Sequence, residues 1–198
     1  GDVKRGENGL SAIVDREVEA RANIDEAIAY AIAIEAKNVH VMAGFAVGKQ
    51  AHTTFIRNLA YACTNAAQHR INILIEPLNE YDVPAYFLKT TDQAVGIIDE
   101  VGFTNLKLMF DCYHVQLMEG DLTHRLEKLL PHIGHIQFAS VPDRGAPDHG
   151  EINYEHVFQV ISNLGYDCPT GAEYKPKCPT GQSLGWLRKS QAIASNVL

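Results

Sequence analysis

INILIEPLNEYDVPAYFLKTTDQAVGIIDEVGFTNLKLMFD, residues 71–111, holds two short apolar runs with a helical pattern between them, and each run is closed by an acid. INILI, 71–75, ends at Glu76, and LKLMF, 106–110, ends at Asp111. Between them a helical segment opens near Thr91 and stops at Gly102, a residue suited to the left-handed position that follows a helix. Strand, helix, strand in that order is a βαβ unit, which implies parallel pairing and a right-handed crossover.

The same alternation continues on both sides. Toward the amino end, apolar Val18, Ala22, Ala27, Ile28, Ala31 and Ile32 predict a helix over 17–35 with one buried face. NVHVMAG, 38–44, reads as a strand ended by glycine, and a helix is expected over 53–69. Toward the carboxyl end the pattern predicts a helix over 123–130 stopped by Pro131 and a strand over 133–139. A helix over 154–164 before Gly165, a strand over 170–174 and a terminal helix over 183–194 complete it. That makes five strands, each followed by a helix.

Two architectures suit such an order. An open doubly wound sheet would carry GxGxxG or GxxxxGK[ST] after a strand, and neither motif is present. Polar side chains instead close several successive strands, as they do at the rim of a (β/α)8 TIM barrel. The expected fold is therefore α/β, a TIM-barrel-type single domain over residues 1–198. A closed barrel has eight strands and about 250 residues, so roughly three amino-terminal βα units are expected to be missing. The chain begins at Gly1, in a charged, glycine-rich segment. A fragment, a lost region and a partner that completes the sheet are the three explanations weighed.

Composition narrows the function. With 198 residues, 46% hydrophobic content and a net charge of −7, the chain suits one globular domain with a sizeable core. Lys and Arg are scattered in ones and twos, which disfavours a nucleic-acid groove, since phosphate neutralisation needs clustered cations. No apolar run approaches the roughly 18 residues of a membrane span, and no signal-peptide pattern opens the chain. A cytoplasmic protein acting on a small molecule is expected, with homo-oligomerisation left open. Cys63, Cys112, Cys168 and Cys178 lack CxxC pairing and read as reduced thiols filling space.

Two more strand-like runs end in oxygen donors: HIGHI, 132–136, at Gln137 and PTGA, 169–172, at Glu173. Glu76, Asp111, Gln137 and Glu173 lie 35, 26 and 36 residues apart, each interval about one βα unit, so their side chains are expected to converge. An all-oxygen set of two glutamates, an aspartate and an amide suits Mg²⁺ or Mn²⁺ better than zinc. The alternative for each acid taken singly is solvent exposure or capping of the next helix.

IEPLNEYDVPAYFL at 75–88, MFDCYHVQ at 109–116, HIQFASVPDRGAPDHGEINY at 135–154 and GAEYKP at 171–176 resemble the hydroxypyruvate isomerase family of xylose isomerase-like TIM barrels. The resemblance covers nearly the whole chain. It implies that Glu76 and Glu173 are an acid/base pair and that both lie with Asp111 and Gln137 in a divalent metal shell. Related epimerases and nucleases usually carry His at the position of Gln137, which favours the isomerase branch. His114 and Arg144 match substrate-contacting positions, and a guanidinium there can grip a carboxylate with two hydrogen bonds. The implied reaction interconverts hydroxypyruvate and tartronate semialdehyde by proton transfer through an enediolate, which a divalent ion stabilises. A 2-oxo-tetronate isomerase, a ketose 3-epimerase, a zinc nuclease on the same barrel and an inactive incomplete barrel are the alternatives.

Several residues carry two readings. Asp82 resembles a substrate-binding acid of the epimerases or caps a loop. His40 points into the barrel mouth, and so to substrate, or packs in the core. Glu151 shapes the loop before the next helix, and Trp186 packs the terminal helix. His132 and His135 have metal-like spacing, but Pro131 and the start of a strand argue against shared ligation.

Overall fold

The computed structural model describes residues 1–187. The chain divides into two compact units, Gly1–Phe110 with His132–His135, and Asp111–Pro131 with the residues from Ile136 on. Among the described residues, five strands follow chain order in the sheet, β1-β2-β3-β4-β5. Strict sequential order marks a TIM-barrel-like wall, whereas the order of a doubly wound sheet reverses at a switch point.

The first unit contains α1 (Glu17–Ala33), β1 (Asn38–His40), α2 (Gly48–Ala67), β2 (Asn72–Ile75), α3 (Thr91–Val101) and most of β3 (Leu106–Asp111). β2 pairs in parallel with β1, Val39 opposite Ile73, and with β3, Ile75 opposite Leu108. Flanked on both edges and covered on both faces, β2 buries Ile73, Leu74 and Ile75 together, which is why its sequence runs apolar without alternation. α3 begins where the Thr90 side chain accepts the Gln93 N–H and ends at Gly102, φ +72°, as the sequence predicts.

α1 buries a stripe that shares only Ile28 and Ala31 with the expected one: Ala20, Ile24, Ile28 and Ala31 face inward, while Val18 is 84% and Ile32 43% exposed. At 3.6 residues per turn Val18 stands about 125° and Ile32 about 85° from the centre of that stripe, so neither shares the inward face. α2 starts at Gly48, five residues before the expected Thr53, because its first turn, Gly-Lys-Gln, carries no apolar signal.

The second unit contains α4 (Cys112–Met118), α5 (Leu122–Leu129), β4 (Ile133–Phe138, whose first residues belong to the first unit), α6 (Tyr154–Asn163), β5 (Thr170–Ala172) and α7 (Thr180–Ser183). α4 is not legible in the sequence, since it follows β3 with no loop and its apolar residues merge with the strand signal. Pro131 sits in a 3₁₀ turn after α5. β4 pairs in parallel with β5, Gln137 opposite Gly171. Residues 185–187 are helical, and the part of the expected terminal helix beyond them lies outside the described residues. Trp186 packs edge-on against Phe138, ring centroids 5.6 Å apart, and its indole N–H donates to the Tyr174 hydroxyl at 3.3 Å.

All four cysteines are free. Cys63 and Cys112 fill core space as expected, but Cys168 and Cys178 are exposed, because the segments that carry them are short connections at the surface. Among the described residues, no helix is long and apolar enough to cross a membrane.

Candidate active site

In the first unit Glu76 follows the last residue of β2 and is buried, 5% exposed. His40, the last residue of β1, holds its Nδ1 3.8 Å from Glu76 Oε2. Burial pushes the His40 imidazole down to about 4, so it stands beside the carboxylate as a neutral ring near pH 7. Tyr86 is buried, and its hydroxyl accepts the Ala43 N–H at 2.9 Å. The loop after Glu76 turns around buried Asn79, whose Oδ1 accepts the N–H groups of Tyr81 and Asp82. Asn79 Nδ2 donates to the Asp82 carboxylate at 3.2 Å, so Asp82 takes part in the turn.

The second unit brings together Asp111, His114, Arg144 and Glu173. Asp111 ends β3, is 1% exposed, and caps α4 by accepting the Tyr113 N–H at 2.9 Å. Its other oxygen, Oδ2, lies 3.7 Å from His114 Nε2 and 3.7 Å from Arg144 Nη2. Arg144 Nη2 donates to Glu173 Oε2 at 2.6 Å, and the guanidinium lies over the Tyr113 ring, 5.0 Å from its centroid. One cation thus stands against two carboxylates, with an aromatic face beneath it.

Backbone register explains why Gln137 joins this face. Gln137 stands opposite Gly171, and side chains two apart on a strand share a side, so Gln137 and Glu173 project the same way. The Glu173 N–H donates to the Phe138 carbonyl at 3.1 Å, which extends the pairing past β5. Gln137 Oε1 is buried and has no hydrogen-bond partner among the described residues. A buried carbonyl oxygen in that condition is costly unless something positive meets it.

These donors fit a hard cation. Asp111 and Glu173 supply carboxylate oxygens, Gln137 supplies a buried amide oxygen, and Arg144 already shows that the two carboxylates draw positive charge.

Two contributors escaped the sequence reading. Tyr113, the platform under Arg144, lies between two residues that were singled out, but nothing in its own type marked it. Asp143 precedes Arg144 and gathers Ser140, His149 and Lys177 around its carboxylate. Lys177 first, then Ser140 and His149, hold it well below the usual carboxylate range. The string DRGAPDH, 143–149, was the available signal: three ionisable residues flank the candidate arginine within one loop. Glu151 closes that loop through its N–H to the Val141 carbonyl, in keeping with the shaping role read from sequence.

Comparison with known proteins supplies the kinship. Residues 7–190 match the model of the xylose isomerase-like TIM barrel family. The 2-oxo-tetronate isomerase of Cupriavidus necator is 45% identical over 192 residues, covering 95% of this chain and 74% of that protein. The hydroxypyruvate isomerase of Escherichia coli is 42% identical over 192 residues, covering 94% and 74%. A crystal structure from Brucella melitensis, described as an AP endonuclease of family 2, superposes with a TM-score of 0.92 at 42% identity over 96% of this chain and 74% of that one. With a family model spanning most of its length and two such relatives, the chain belongs to the xylose isomerase-like TIM barrel family and is an isomerase of its hydroxypyruvate isomerase group.

Proposed function

We propose that this isomerase moves a proton between neighbouring carbons of a small oxo acid, interconverting hydroxypyruvate and tartronate semialdehyde or acting on a four-carbon homologue. The observation that carries this reading is Arg144, a guanidinium held 2.6 Å from Glu173 over the ring of Tyr113. Planar, always charged and forked, it suits a carboxylate next to the reacting carbons better than it suits a neutral sugar.

In this reading Arg144 binds the substrate carboxylate and sets its carbonyl and hydroxyl carbons in reach of the two glutamates. Glu76 and Glu173 serve as acid and base: one removes the carbon-bound proton, and the same or the other returns it to the neighbouring carbon. Glu76 and Glu173 each follow the last residue of a strand, β2 and β5, Asp111 ends β3, and Gln137 is the next-to-last residue of β4. His114, His40 and Asp82 contact the substrate hydroxyl and carbonyl oxygens. His40, neutral near pH 7, offers a hydrogen bond there and no charge. Glu76, Asp111, Gln137 and Glu173 would hold Mg²⁺ or Mn²⁺, which would supply a Lewis acid for negative charge on oxygen. The oxo acid is the partner this reading requires, with no role for a nucleic acid or a membrane, and the cytoplasm is its setting.

The test is turnover of hydroxypyruvate and of four-carbon 2-oxo acids with added Mg²⁺ or Mn²⁺, with a neutral ketose as control. Glu173→Gln is expected to lower kcat by about 100-fold or more, the usual worth of a positioned acid/base. Undiminished activity in that variant, or no turnover of any oxo acid by the parent, overturns the reading. The Brucella melitensis structure raises a nuclease as the second reading. A net charge of −7 opposes phosphate binding, and failure to bind abasic DNA at low salt would dismiss it.

A further inference from the structure

Arg144 sits in the left-handed region, φ +50°, a conformation a side chain adopts only when its surroundings impose it. The residues on either side of it show what does so. Asp143 Oδ1 accepts the Ser140 hydroxyl at 2.7 Å and the Gly145 N–H at 3.2 Å, so one carboxylate oxygen bridges the turn that contains Arg144. The Ser140 N–H donates to the Gly145 carbonyl at 3.0 Å and closes the same turn from the backbone side. His149 Nε2 stands 3.1 Å from both Asp143 oxygens, while its Nδ1 is 2.9 Å from Asp148 Oδ1. Gly150, φ +87°, brings the loop back at a point where any side chain would clash with the Val141 carbonyl.

This turn is also tied to the segment that follows β5. Lys177 Nζ donates to Asp143 Oδ2 at 2.9 Å, and the Lys175 N–H donates to the Arg144 carbonyl at 2.7 Å. Glu173, the partner of the Arg144 side chain, lies two residues before Lys175. Both the backbone and the side chain of Arg144 are therefore referred to the strand end that carries Glu173.

Ser140, His149 and Asp148 have the order of a hydroxyl–imidazole–carboxylate relay. Ser140 is 0% exposed, however, and its hydroxyl donates to Asp143, so no substrate carbonyl can meet it and the group has no nucleophile to offer. Its arrangement suits holding better than reacting.

We infer that Asp143 is a positioning residue for Arg144: with Ser140, His149 and Lys177 it fixes the turn that aims the guanidinium at the substrate carboxylate. The inference rests on the proposed role of Arg144 as carboxylate clamp. Asp143 itself touches no reacting atom, and its effect passes entirely through Arg144.

A double-mutant cycle on the oxo acid that is turned over tests this, comparing the parent, Asp143→Ala, Arg144→Ala and the double variant, with thermal unfolding of each. Asp143→Ala is expected to raise KM about tenfold with kcat changed by no more than about threefold, the signature of lost binding without lost chemistry. Asp143→Asn, which can still accept from Ser140 and Gly145, is expected to recover most of that loss. In the Arg144→Ala background the Asp143 change is expected to add nothing to KM. An equal KM penalty with and without Arg144, or no penalty at all, overturns the inference. Should Asp143→Ala not fold, His149→Ala is read by the same criteria. A second readout needs no turnover: phenylglyoxal labelling of Arg144, followed by peptide mass, is expected to run several-fold faster in the variant than in the parent. Equal labelling rates overturn the inference. A parent that turns over no oxo acid sinks the proposed function separately, and labelling then decides the loop's part alone.

Discussion

His149 faces Asp148 on one ring nitrogen and Asp143 on the other, and those two carboxylates, Asp148 foremost, raise it above its ordinary value. A raised imidazole stabilises the folded loop fully below its unfolded value of about 6.5, and that contribution is lost as pH climbs through the higher folded value. Asp143 acts in the opposite sense: its contribution is present above about 4 and is lost as pH falls. Lys177 is the remaining charge on Asp143. Amide exchange at Gly145, corrected for its intrinsic rate, is therefore expected to quicken as pH rises beyond 6.5, and less so in His149→Asn. A transition between about 4 and 6.5, below the His149 window and above the Asp143 one, would contradict that sign. At this scale the sequence was readable where chemistry coincides with position. Glu76, Asp111, Gln137 and Glu173 stand out as candidates because each closes an apolar run. Tyr113 and Asp143 could not, since a ring beneath a guanidinium and a carboxylate inside a turn are defined by what surrounds them in space.

Elements were legible in proportion to how sharply their ends are signalled. β3 and α3 fall where the sequence places them, the latter because Thr90 and Gly102 mark both termini. α4 was missed because a helix joined directly to a strand has no punctuation between two apolar patterns. The face of α1 was misjudged because alanines on either side of a helix look alike in sequence, and only packing selects the stripe of Ala20, Ile24, Ile28 and Ala31. A pair of substitutions separates these cases. Ile73→Ala, at a fully buried position in β2, is expected to cost about 3 kcal/mol in denaturant unfolding. Val18→Asp, on the exposed side of α1, is expected to stay within about 0.5 kcal/mol. A large loss at Val18 would show that the helix buries the stripe first expected of it.

For the whole molecule, the TIM-barrel-type fold was the deepest inference available from sequence: alternation left two architectures open, and the absent nucleotide-binding turn together with polar residues closing successive runs chose between them. The oxygen set at the strand ends leads to an expectation for the intact protein. Added Mn²⁺ is expected to raise the unfolding temperature, because a ligand bound only by the folded state stabilises it by about 2.7 kcal/mol at a hundredfold excess over its Kd. A chelator is expected to reverse that rise and to abolish turnover together, and Asp111→Asn to blunt both. An unfolding temperature indifferent to Mn²⁺ would count against the ion site. The pairing of β4 with β5 has one more consequence. Gln137 and Glu173 share a side because both fall on the same parity of the pleat, fixed by the alignment of Gln137 with Gly171. Were one residue lost from within Thr170–Ala172, even positions would become odd: Glu173 would be carried to the opposite surface of the sheet, and the strand would still find hydrogen bonds to make. The chain's chemistry is in that sense counted out along the backbone, and it can be miscounted without the fold noticing.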